Sequence, residues 1–123
     1  MPEIVTLVVP VTTTGSAGSA AGAGSTGAIK GFLLDIYLDF NASAPATTDT
    51  TITLTGRGGN VLAVSNSVTD ALFAPRQKPV DNANAAITNA FEPFALTDGL
   101  TITLAQCDAL APALTAYVRV LTP

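Results

Sequence analysis

A chain of 123 residues is long enough for one domain with a core, and no more. Its net charge is −4, and its five bases (Lys30, Arg57, Arg76, Lys78, Arg119) are scattered, so neither the basic stripe of a nucleic-acid binder nor a basic amphipathic helix for a membrane surface is present. With no histidine and one cysteine, Cys107, the chain has no His-based triad, no His metal site, no thiolate zinc site and no internal disulfide.

Hydrophobic residues make up 48% of the chain, which suffices for a core, while charged residues are only 11%, against about 25% in an ordinary soluble domain. The polar surface must be Thr, Ser, Asn and backbone. Two readings follow: a surface largely covered by other copies or another protein, or a neutral, Thr-rich monomer. The opening Met1-Pro-Glu-Ile enters a strand pattern directly. We therefore expect no secretion signal, and a lone Cys fits folding in a cytosol. No apolar run approaches a membrane span.

Glu3 to Val11 is a β-branched run and predicts the first strand, which Pro10 confines to an edge or ends. Residues 12–28 follow as an arm or extended segment. Within it, Gly15 to Gly27 holds only Gly, Ser, Ala and Thr. That composition favours a flexible or assembly-ordered segment, able to lie flat on another surface, over a regular strand. Ile29 to Asn41 carries the cleanest alternation in the chain. Phe32, Leu34, Ile36, Leu38 and Phe40 are expected to face the core. Leu33, Asp35, Tyr37 and Asp39 then form a mixed outer face open to a neighbouring subunit. Thr48 to Thr55 and Asn60 to Asn66 flank a Gly-rich turn and predict a hairpin, with Ile52 and Leu54 inward. Ser67 to Phe94 is irregular, and Asp81 to Ala90 has room for a helical turn or two. Leu100 to Ala105 and Ala113 to Leu121 complete the strands. Turns and no long helix predict an all-β fold: an antiparallel β-sandwich or a jelly-roll-like small barrel of about six to eight strands, in a single domain over 1–123.

The candidate chemistry is sparse. Gly22, Gly24 and Gly27 match G-x-G-x-x-G, but a strand follows them where the dinucleotide motif needs a helix. Asp35 and Asp39 share a strand face about 13 Å apart, too far to share a metal or to serve as a glycosidase pair. Asp49, Asp98 and Asp108 read as turn residues. No catalytic, cofactor or metal residue is assigned, and the chain is not expected to be an enzyme. The densest basic cluster is Arg76 and Lys78, behind Phe73. It reads either as a docking loop for an acidic partner or as a solvated loop. With Tyr37, these three residues make up the candidate partner-binding set.

Three stretches, 27–56, 69–88 and 100–120, resemble a family of small all-β structural proteins of tailed bacteriophages. The motifs that carry the likeness are the turn Asn41-Ala-Ser-Ala-Pro-Ala-Thr-Thr-Asp49, the Phe73-Ala-Pro-Arg76 loop and the strand ending in Ala105-Gln-Cys-Asp-Ala109. The family often has two aromatics before Pro-Arg, where this chain has Phe73-Ala74. The resemblance implies a virion structural protein, made in the host cytoplasm and carried on the capsid surface. In that role it is a capsid decoration (cement) protein that stabilises the shell of the major capsid protein, as a homo-oligomer such as a trimer. Its N-terminal segment and one loop end would touch the capsid. Rival expectations are a tail, connector or head-fibre component, or an exposed receptor- or carbohydrate-binding module.

Overall fold

The computed structural model describes residues 2–79 and 82–123. Among them there is no helix. Nine strands form two antiparallel sheets. The first sheet contains β1 (Glu3–Val11), β9 (Leu114–Thr122), β3 (Gly31–Phe40) and β6 (Ala71–Phe73) in that spatial order, with the short β7 (Ala95–Leu96) beside β3 on the β6 side. The second is ordered β2 (Ala20–Ser25), β8 (Leu100–Cys107), β4 (Asp49–Leu54), β5 (Asn60–Val64). Between them lies one core. Val9, Val11, Leu33, Ile36, Leu38, Leu114, Ala116, Val118 and Val120 come from the first sheet, and Ile52, Leu100, Ile102, Leu104 and Cys107 from the second. This is the all-β, antiparallel sandwich that period-two alternation and frequent turns predict.

The longest strand departs from its expected phase. Only Ile36, Leu38 and Phe40 of the five alternating residues are buried. Leu33 takes the core position, Leu34 is half-buried and Phe32 is exposed. The cause is a β-bulge. The ladder with β9 runs Phe32↔Leu121, Leu33↔Val120 and then Asp35↔Arg119, which leaves Leu34 without an opposite residue. One inserted residue reverses every side chain on the far side of it.

The Gly/Ala/Ser stretch is also more ordered than its composition suggests. Ala20–Ser25 is β2, paired with β8 at the edge of the second sheet. A Cβ at Gly22 would collide with the Thr12 carbonyl, and one at Gly24 would lie 3.0 Å from the Pro10 carbonyl. The small residues let β2 lie against the end of β1, so the surface this segment covers belongs to its own chain. Residues 2–27 therefore hold one edge strand of each sheet. The stretch expected to form a helical turn or two has no helix over 82–90 but turns and a single bridge residue, Ala86, with Asn84 and Asn89 in left-handed conformations; Asp81 lies outside the described residues.

Candidate contact face

The registers place the outward side chains of the first sheet in rows. One row runs Ile4, Leu121, Phe32, Ala95 across β1, β9, β3 and β7. The next runs Thr6, Arg119, Asp35, and the third runs Val8, Tyr117, Tyr37, Leu72 out to β6. Pro10, Thr115 and Asp39 form the last. Leu72 is 62% exposed, Ile4 59%, Val8 57%, Phe32 49% and Tyr37 38%. Among the described residues seven large hydrophobics are exposed, and these are five of them. Scattered apolar residues on a surface need no explanation, but a contiguous set does.

The bulge builds this face. By turning Leu33 inward it swings Phe32 outward beside Leu121. Phe32, Leu121, Gly31, Ala95, Leu96 and Pro123 line a nearly all-apolar groove of about 370 Å³. Gly31 (φ +147°) fits at its floor because a Cβ there would strike the Leu121 carbonyl. Tyr37 and Tyr117 lie side by side with ring centroids 6.3 Å apart and planes tilted by 45°, a favourable aromatic arrangement.

Charge enters the face as a closed pair. Arg119 donates from Nε to both Asp35 oxygens (2.8 and 3.1 Å) and from Nη2 to Oδ2. The Asp35 side chain is 10% exposed and that of Arg119 is 50% exposed. The guanidinium hydrogen bonds hold the Asp35 carboxyl below its ordinary value of 3.8, against the upward push of burial, and the nearby charges of Arg119 and Arg76 add to the lowering. The same bonds raise Arg119. With each charge held by the other, this face can lose water without stranding an ion.

The candidate residues divide. Tyr37 stands on the apolar face. Phe73 pairs with Ile36 and packs against the core, and its neighbour Leu72 is what β6 turns outward. Arg76 donates from Nη1 to the Leu34 carbonyl (3.1 Å) and to the Pro75 carbonyl (2.8 Å), so it clamps the bulge. Lys78 sits 5.8 Å from the centroid of the Phe91 ring, and Gln77 exchanges two backbone hydrogen bonds with Glu92, both 2.9 Å. The loop is thus strapped along β3, and its two bases serve separate local contacts. Ile4, Val8, Phe32 and Leu72 were not singled out by sequence reasoning. The β-branched run Glu3 to Val11 is apolar on both sides of the strand, so Ile4 and Val8 carried no separate signal there, and Phe32 depends on the bulge.

The carboxylates elsewhere hold turns. Asp49 accepts from the Asn66 N–H, Asp70 from the Phe40 N–H and Asp108 from the Gly18 N–H, each at 2.8 Å. Among the described residues no group of three or more His, Cys, Asp or Glu could hold a metal, and no helix is long and apolar enough to cross a membrane. Cys107 is buried. The chain matches no protein-family model, no curated protein and no solved structure.

Proposed function

We propose that this chain is a virion structural protein that decorates a capsid, binding the shell of the major capsid protein through the outer face of its first sheet. The phage-specific part of this reading rests on the sequence resemblance. The observation that carries the binding role is the contrast between the two outer faces of the sandwich. The second sheet turns rows of Ala23, Thr103, Thr51, Ala63 and Ser25, Thr101, Thr53, Asn60 to solvent. The first turns Ile4, Val8, Phe32, Tyr37 and Leu72 outward around a satisfied ion pair. An exposed apolar face with polar flanks is the surface chemistry of a protein contact.

The mechanism is mechanical. Each copy buries part of this face on the shell, with about 25 cal/mol for every Å² of apolar surface removed from water. Repetition over many copies turns a modest contact into reinforcement. The groove beside Phe32 accepts an apolar side chain from the shell, in the manner of an anchor residue. The N-terminal segment acts here through Ile4 and Val8 of a folded strand. No catalytic step is involved.

Counting copies in purified particles tests this reading. Decoration requires a number comparable to that of the major capsid protein. A count of about twelve or fewer would indicate a connector or fibre instead, and absence from particles would end the virion reading.

A further inference from the structure

The four outer edges of the sandwich are protected unequally. On the first sheet, the β3 side is closed by the short β6 and β7 and the strap that carries Arg76. On the second, β5 is five residues long, and β2 lies against the end of β1. The remaining edge is β1, nine residues, paired among the described residues only with β9. Natural proteins blunt such edges with charge, proline or a bulge. Here the chain has Glu3 at one end and Pro10 near the other, and between them the apolar-rich run Ile4-Val-Thr-Leu-Val-Val9. The inward Val5 and Leu7 are only half-buried, while Val120 and Val118, opposite them on β9, are fully buried. The core is open along this side.

The backbone direction of each β1 residue can be read from its contacts. The Glu3 carbonyl accepts from Thr122 Oγ1 and the Val11 carbonyl accepts from the Ala113 N–H, so odd-numbered residues bond toward β9. The Pro10 and Thr12 carbonyls point the other way, toward Gly24 and Gly22 of β2. Ile4, Thr6 and Val8 share that parity and turn their N–H and C=O groups to the open edge.

We propose that this edge pairs with the same edge of a second copy, antiparallel across a two-fold axis at Thr6. In that register Thr6 faces Thr6 of the second copy and Ile4 faces Val8. All three pairs are of the hydrogen-bonded kind, and Pro10, which lacks an N–H, falls just outside. Each pair contributes two main-chain hydrogen bonds. A shift by two residues toward the C-terminus brings Pro10 into the ladder and loses donors. The same register keeps the two Glu3 carboxylates at opposite ends of the contact, about 20 Å apart. The outer faces then fuse. The row Ala95, Phe32, Leu121, Ile4 runs directly into Val8, Tyr117, Tyr37, Leu72 of the second copy, and the central Thr–Thr pair is a favourable cross-strand neighbour. A two-fold edge contact closes on itself, so the assembly is a dimer in place of a trimer. The proposal stands on β1 alone, whatever surface the fused face meets.

Sedimentation of the purified full chain tests it without any particle, so its outcome is separate from that of the capsid reading. Wild type is expected at twice the 12.4 kDa of one chain. Thr6→Lys sets two ammonium groups opposite each other and is expected to weaken the dimer about tenfold or more, with the β-sheet circular dichroism unchanged. Ile4→Lys/Val8→Lys is expected to be monomeric. Ile4→Lys/Val8→Glu restores the dimer because each lysine then faces a glutamate of the second copy. A wild type that stays monomeric, leaving the edge to a strand of some other protein, would overturn the proposal. So would a trimer, a Thr6→Lys dimer as tight as wild type, or a folded Ile4→Lys/Val8→Glu chain that does not associate.

Discussion

The two sheets of this sandwich share a core but differ on their outer faces. The second sheet presents threonine, serine and alanine, the composition that an antiparallel sheet adopts when water is its neighbour. The first presents isoleucine, valine, leucine, phenylalanine and tyrosine on either side of the Asp35–Arg119 pair. Both are built by one chain under one solvent, so the threonine-rich sheet is an internal control. It shows that this sequence can make a solvated face with almost no charge. The apolar face is therefore not a by-product of the chain's low charge, and its composition is what the proposed contact requires.

The strongest test of this comparison removes the strands that frame it. Deleting residues 1–27 takes β1 from the first sheet and β2 from the second, with Val9, Val11 and Ala20 of the core. The expected result is loss of a cooperative thermal transition; a deletion that still melts cooperatively would show these strands to be a dispensable arm. Gly22→Val comes next. Its side chain would need the space of the Thr12 carbonyl, so unfolding in urea should show a loss of about 1–3 kcal/mol. The deletion also takes Ile4 and Val8 from the apolar face and Ala23 and Ser25 from the other, whereas Gly22→Val disturbs the frame and leaves the outer faces alone.

Phe32→Thr/Leu72→Thr converts the apolar face toward its threonine counterpart. Each exposed site should alter stability by no more than about 0.5 kcal/mol, while retention on particles falls about tenfold or more, as for loss of anchor residues. Thr51→Ala/Thr103→Ala on the other sheet should change neither. Equal effects of the two pairs would erase the distinction between the faces.

The smallest effect concerns the ion pair. The Asp35 carboxyl is held below 3.8 in the folded chain by Arg119, so its contribution is full above that value and is lost as pH falls through the lowered one. Asp35→Asn should melt below wild type near pH ~6 and converge with it at strongly acidic pH. A difference in melting temperature that does not change with pH would mean the pair contributes packing alone.

Much of the frame was legible because five of its strands announce themselves by alternation or β-branched runs. Ile102 and Leu104, or Val118 and Val120, could be assigned inward from their spacing alone, and both pairs are fully buried. The bulge at Leu34 was not legible. Phe32, Leu34 and Ile36 alternate perfectly in sequence, and only the ladder to β9, fixed by Asp35 against Arg119 and by the Arg76 clamp, decides that the phase breaks there. β2 was hidden for the opposite reason. Ala and Gly carry no periodic signal, and their role is close approach, which depends on a neighbour 10 residues or so away in the chain. The outward position of Tyr37 was legible because its neighbours Asp35 and Asp39 mark that side of the strand. That Phe73 packs against the core was not legible, because β6 is only three residues long, too short for its inward face to be read.

The central claim, that the apolar face and not the threonine face meets the capsid, can be tested by labelling single cysteines. Native Cys107 is buried and silent. Leu72→Cys lies on the β6 side, away from the β1 edge, so pairing of two copies leaves it open; Thr103→Cys lies on the threonine sheet. Maleimide reactivity of each is measured on the free protein and on decorated particles. Leu72→Cys is expected to become protected on the particle while Thr103→Cys reacts as it does in solution. Protection of Thr103→Cys with Leu72→Cys still reactive would contradict the claim.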